Sequence, residues 1–120
     1  MLNLIDDLPE NVLGVVADDQ VTGDKYENVL MPAIEGKFLH ISKLNILFHL
    51  KPGFTGFTLP AVIDDAKIGL KYIRQWGKVA VVSDHPLING YTQLVSHLMP
   101  VDIKVFNNAE LAKAKAWIEA

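Results

Sequence analysis

Val12-Leu13-Gly14-Val15-Val16-Ala17 is an almost unbroken apolar run. A run this short, rich in β-branched residues and free of charge, reads as a strand covered on both faces. Two further runs share its character, Leu44 to Leu50 (LNILFHL) and Val79 to Val82 (VAVV). Helix-length segments separate the three. Strands alternating with helices in this way imply parallel pairing through right-handed crossovers.

Toward the N-terminus, Leu2 to Ile5 is a second short apolar stretch, joined to Val12 by a loop that holds Pro9. The two are close enough to pair antiparallel. Beyond Ala17, Thr22 and Gly23 open a helix with Asp24 in its first turn, where the helix dipole favours an acid. Tyr26, Leu30, Ile34, Phe38 and Ile41 then follow helical spacing. Pro32 predicts a kink inside that pattern, and Gly36 weakens it. A glycine-bearing loop, Lys51 to Pro60, leads into a second helix to about Gln75, with Asp64 and Asp65 early as helix-start charge and Lys71 and Arg74 late. Asp84 and Pro86 start a third helix, which Met99-Pro100 ends. Val101, Ile103 and Val105 alternate with Asp102 and Lys104 as a half-exposed edge strand. Asn107 and Glu110 have capping-box spacing and begin the last helix. The expectation is one α/β domain over residues 1–120, order ββαβαβαβα, with a mixed, mostly parallel five-stranded sheet and four helices.

Composition narrows function. The chain has no cysteine, so disulfides, thiolate metal sites and Cys nucleophiles are excluded. Its net charge is −3, without the basic footprint of a nucleic-acid binder. No apolar run approaches the roughly 20 residues that span a bilayer. The start carries Asp6, Asp7 and Glu10 and no basic residue, unlike a secretory leader. A cytoplasmic domain is expected, with the membrane periphery as its alternative location.

Three stretches together resemble the SpoIIAA-like family, whose fold is that of STAS domains. Gly23-Asp24-Lys25-Tyr26-Glu27-Asn28-Val29-Leu30-Met31-Pro32 resembles the "DYexxlxP" first helix, with Lys25 where the family usually has Asp. Lys78 to Asp84 (KVAVVSD) resembles the "rvAvvgd" strand. Val105-Phe106 through Ala114-Lys115-Ala116-Trp117-Ile118 resembles the "vFxxxexeeAxaWL" ending. The resemblance spans nearly the whole chain and implies two kinds of role. STAS antagonists of anti-sigma factors are switched by phosphorylation of a serine in an Asp-Ser-Ser-Gly type motif. Phe54-Thr55-Gly56-Phe57-Thr58-Leu59-Pro60 stands there instead, leaving Thr55 and Thr58 as acceptors. The family also looks similar to CRAL-TRIO lipid-carrier domains, which implies an apolar ligand or a membrane contact.

The residues favour the second role. Phe54, Phe57 and Leu59 crowd a loop with two glycines, the pattern of a flap over an apolar pocket or of a membrane-dipping loop; folding back onto the core is the alternative. Lys67, Lys71 and Arg74 recur on one face of the following helix and could meet an anionic surface. Val62 and Ile63 lie on its apolar side, and Leu87, Ile88 and Tyr91 of the third helix would face them. Candidate partners are a lipid or other apolar small molecule, a membrane surface, and a second copy as a homodimer; nucleic acid is not among them. No cofactor or metal is expected, because His40, His49, His85 and His97 have no ligand spacing. Ser83-Asp84-His85 combines triad residue types, but triads assemble in space rather than in consecutive positions, so no residue is assigned a catalytic role. Trp76 and Trp117 are read as packing residues. A non-enzymatic binding module leads; a regulatory interaction domain of the anti-sigma-antagonist type is second.

Overall fold

In a strand, successive side chains point to opposite faces, so a continuous apolar run must be covered twice. The computed structural model, which describes residues 1–120, meets that demand with one five-stranded sheet and helices on both sides. The elements are β1 (Leu2–Ile5), β2 (Val12–Ala17), β3 (Gln20–Val21), α1 (residues 23–38), β4 (Leu44–Leu50), β5 (Gly56–Phe57), α2 (Leu59–Lys71), β6 (Trp76–Val82), α3 (Pro86–Leu98), β7 (Asp102–Phe106) and α4 (Leu111–Glu119). The sheet order is β1-β2-β4-β6-β7. Only the β1–β2 pair is antiparallel, and β7 is an edge, as the patterns required.

Alternation sorts the side chains cleanly. Leu13, Val15, Ile46 and Val81 point to the side covered by α1, α2 and α3. Val12, Leu47, Ala80 and Val82 point to the side covered by α4, where they meet Phe106, Ala114 and Ile118.

Three local readings change. The first helix does not run through Pro32 as one α-helix. Tyr26–Leu30 forms a π turn, and the Met31 N–H reaches back five residues to the Tyr26 carbonyl. This wider turn absorbs the donor that Pro32 lacks, so Pro32 sits in the first turn of the α-helical segment Met31–Phe38. The helix stops short of Ile41. Secondly, α2 ends at Lys71, so Arg74 lies in the turn after it and not on the helical basic face. Thirdly, the segment around residues 53–60 is not a free flap. β5 pairs in parallel with β3 as a separate two-stranded sheet. The Thr58 N–H donates to the Val21 carbonyl at 2.9 Å, and Phe54 is only 6% exposed. Gly56 holds φ at +122°, a left-handed conformation that L side chains rarely adopt, so here a glycine fixes a turn and does not loosen one.

Candidate functional site: an apolar cleft between α2 and α3

The cleft takes its shape from α3. It is apolar on several sides, yet none of its residues is buried. Leu87, Leu94 and Leu98 are 78%, 60% and 75% exposed. By contrast α2 buries Ala61, Asp64 and Ile68, and α4 buries Ala114 and Ile118. Two chambers open beneath α3. The larger, about 300 Å³, has Ile46 and Val79 of the sheet as its floor, Gly69 of α2 and Val95 of α3 as walls, and Trp76 and Ile103 at its margins. The smaller, about 160 Å³, is bounded by Phe57, Val62, Val81, Ile88 and Thr92. Phe48, Asp65 and Tyr91 border both, so the chambers adjoin along these three residues. An apolar cavity of a few hundred Å³ with few polar groups is the common form of a small-molecule site.

Asp65 is the one charged side chain in either lining. The Tyr26 hydroxyl donates to its Oδ1 at 2.5 Å, across 39 positions of sequence. Tyr26 is 1% exposed. Burial raises the Asp65 pKa above its ordinary value of 3.8, and the Tyr26 bond opposes that rise only in part. Burial, followed by the charge of Asp65, drives the Tyr26 hydroxyl well above the usual phenol range, so it stays a donor. The pair depends on a close helix approach. A Cβ on Gly23, at the start of α1, would lie 2.8 Å from the Pro60 Cβ at the start of α2. Glycine there lets the two helices meet closely enough for Tyr26 to reach Asp65. The neighbouring Asp64 is 9% exposed, and its Oδ2 has no partner.

The apolar residues anticipated from sequence divide into three groups. Phe57, Val62, Ile88 and Tyr91 line the smaller chamber. Leu59, Ile63 and Leu87 stand outside it, 71%, 46% and 78% exposed. Phe54 lines neither chamber; it packs edge-on against Phe57 and His85 with ring centroids 5.2 and 5.8 Å apart. Of the cations, Lys71 pairs with Glu35 at 3.3 Å, while Lys67 and Arg74 are exposed. Thr58 is the N-cap of α2, its hydroxyl accepting from the Ala61 N–H at 3.4 Å, and Thr55 is exposed. Ser83-Asp84-His85 is a capping turn. His85 caps α3 through Nδ1 at 3.4 Å from the Ile88 N–H, the Ser83 hydroxyl accepts from the His85 N–H at 2.9 Å, and Asp84 accepts from the Asn108 N–H at 3.0 Å. No three His, Asp or Glu side chains stand together as a metal site would require.

Asp65 is not helix-start charge. It lies between Ala61 and Ile68 on the inward face of α2, not near its first turn. The signal was available: an acid three residues after Val62 and four before Gly69 interrupts an apolar stripe.

Residues 12–119 match the model of the SpoIIAA-like family. The chain belongs to the SpoIIAA-like family. A solved relative in shape is an uncharacterized protein of the DUF3478 family with a SpoIIAA-like fold from Shewanella loihica PV-4. It has a TM-score of 0.73 and 23% sequence identity, covering 98% of this chain and 93% of that one. At that identity the likeness speaks for the fold. None of the curated proteins matches the chain. For this SpoIIAA-like domain, no helix is long and apolar enough to cross a membrane.

Proposed function

We propose that this domain is a non-enzymatic binding module that holds a small apolar or amphipathic molecule in the cleft between α2 and α3. The observation that carries the reading is the adjoining pair of chambers, about 300 and 160 Å³, lined almost wholly by apolar side chains. The exposed Leu87, Leu94 and Leu98 support it, because a helix this shallowly seated can lift without losing a buried core residue. The binding element is then the facing helices and the sheet floor, with Phe57 at one end, rather than a projecting aromatic loop. Thermal denaturation in the presence of 1-decanol tests the reading. A ligand that binds only the native state raises Tm in a saturable way. The rise should shrink in Val95→Phe, whose added ring narrows the larger chamber. A Tm unmoved by decanol and by shorter or longer alcohols would remove the reading.

A second reading, a regulatory protein-interaction domain, is favoured by family membership and by exposed apolar side chains on α2 and α3, Leu59, Leu70, Leu87 and Leu94 among them. It makes Thr55, rather than the capping Thr58, the accessible phosphate acceptor. Pull-down from cell extract followed by phosphopeptide mapping separates the two. Modified Thr55 together with a retained partner favours regulation.

A further inference from the structure

The cleft is chemically one-sided. No Lys, Arg or His lines either chamber. The indole N–H of Trp76 is already given to the Gly69 carbonyl at 3.0 Å. The Tyr26 hydroxyl is given to Asp65. The remaining polar side chains are the hydroxyls of Tyr91 and Thr92, at the α3 wall. Asp65 is bonded at Oδ1 only; no side chain or backbone group of the chain serves its Oδ2. A carboxyl group offers about four acceptor positions, and Asp65, only partly buried, keeps its unpaired Oδ2 accessible. Its place at the junction of the two chambers puts this spare capacity beside whatever fills them.

From this we infer that the cleft selects an apolar molecule whose single polar head is a hydrogen-bond donor, an ammonium or a hydroxyl, and that Asp65 receives that head. The inference rests on the proposed binding role and names the ligand chemistry within it. An aliphatic carboxylate would find no cation to pair with and would meet a like charge across an apolar space, which is strongly unfavourable. An alkyl amine or alcohol would instead complete the coordination of Asp65 while its chain covers Ile46, Val79 and Val95. The burial that raises the Asp65 pKa is the same burial that a bonded donor would offset.

The test uses the full chain with Trp117→Phe, so that Trp76, at the margin of the larger chamber, is the sole indole. Its emission is titrated with decylamine, 1-decanol and decanoate at neutral pH, each below its micellar concentration. Decylamine and decanol should each bind at least tenfold more tightly than decanoate. In Asp65→Asn, nearly the same shape without the charge, the preference of decylamine over decanoate should fall to within about threefold. Should that variant not fold, the three-ligand comparison in the unsubstituted Asp65 background still decides. Decanoate binding as well as decylamine overturns the inference and leaves the binding role standing. Failure of all three to bind removes both.

Discussion

On one face of the sheet a single helix, α4, seals the surface: Val12, Leu47, Ala80, Val82, Phe106, Ala114 and Ile118 are between 0% and 5% exposed and form a closed cluster. On the other face α1 and α2 seat deeply, but α3 contributes no buried residue and leaves the cleft beneath it. The same alternating strands feed both faces, so the difference comes from the helices. Ala114 lets α4 lie close to the strands, whereas α3 turns Leu87, Leu94 and Leu98 to the surface and leaves Val95 only half-buried over the sheet. A close-packed face serves stability, and a loosely covered one can exchange its contents.

On each face burial shifts the pKa of one partly buried side chain, and these two shifts run in opposite directions. Asp65 lies on the open face. On the closed face His49 Nε2 stands 3.0 Å from Asn108 Oδ1, and burial lowers the His49 pKa below 6.5 although the Asn108 bond opposes it.

The contrast between the faces can be broken by mutation. The largest effect is expected for Ile118→Ala. It empties a fully buried site and should cost about 2–5 kcal/mol, read by denaturant unfolding. Val95→Ala, on the cleft wall, should cost less than about 1 kcal/mol, since the space beside it is already open. Equal losses would mean that the cleft is not a real difference between the faces. Next in size, Tyr26→Phe leaves a carboxyl without its donor and should cost about 1–3 kcal/mol. Gly23→Ala should cost a similar amount, about 1–3 kcal/mol, by forcing α1 and α2 apart at Pro60. It should also loosen the Tyr26–Asp65 bond, seen as a shift in tyrosine absorbance.

The smallest effects lie in the pH dependence. For Asp65 the native state binds the proton more readily than the unfolded chain. Its contribution is therefore most favourable at low pH and falls as pH rises from about 3.8 through the raised native value. The stability of the protein minus that of Asp65→Asn should decline over this window. His49 behaves in reverse. The unfolded chain binds its proton more readily, so stability is lost as pH falls through 6.5 toward the lowered native value. His49→Gln should flatten that limb and leave the Asp65 limb unchanged.

How far the sequence carried this reading follows from length and period. VLGVVA, LNILFHL and VAVV declare buried strands because an apolar run without charge has few other uses, and the alternation in Val101 to Val105 declares an edge. The β3–β5 pair was invisible, because two residues on each side have no period to detect. The packed state of Phe54 follows from that hidden pair. Part of the cleft was legible, since Val62, Ile88 and Tyr91 lie on helices and Phe57 in the aromatic segment before them. The larger chamber was not. Its floor residues look like ordinary core, and no local pattern encodes that α3 leaves space above them. Asp65 is masked in the sequence by Asp64, since two acids early in a helix suit its dipole although their side chains point about 100° apart.

The proposed ligand site lies on one face of this SpoIIAA-like sheet and not on the other. Methyl-resolved NMR during titration with 1-decanol tests it most directly. The account predicts saturable shifts at Ile46, Val79, Val95 and Ile103, with Leu47, Val82 and Ile118 unmoved. Shifts confined to the exposed Leu87 and Leu94, or spread equally over both faces, would contradict it.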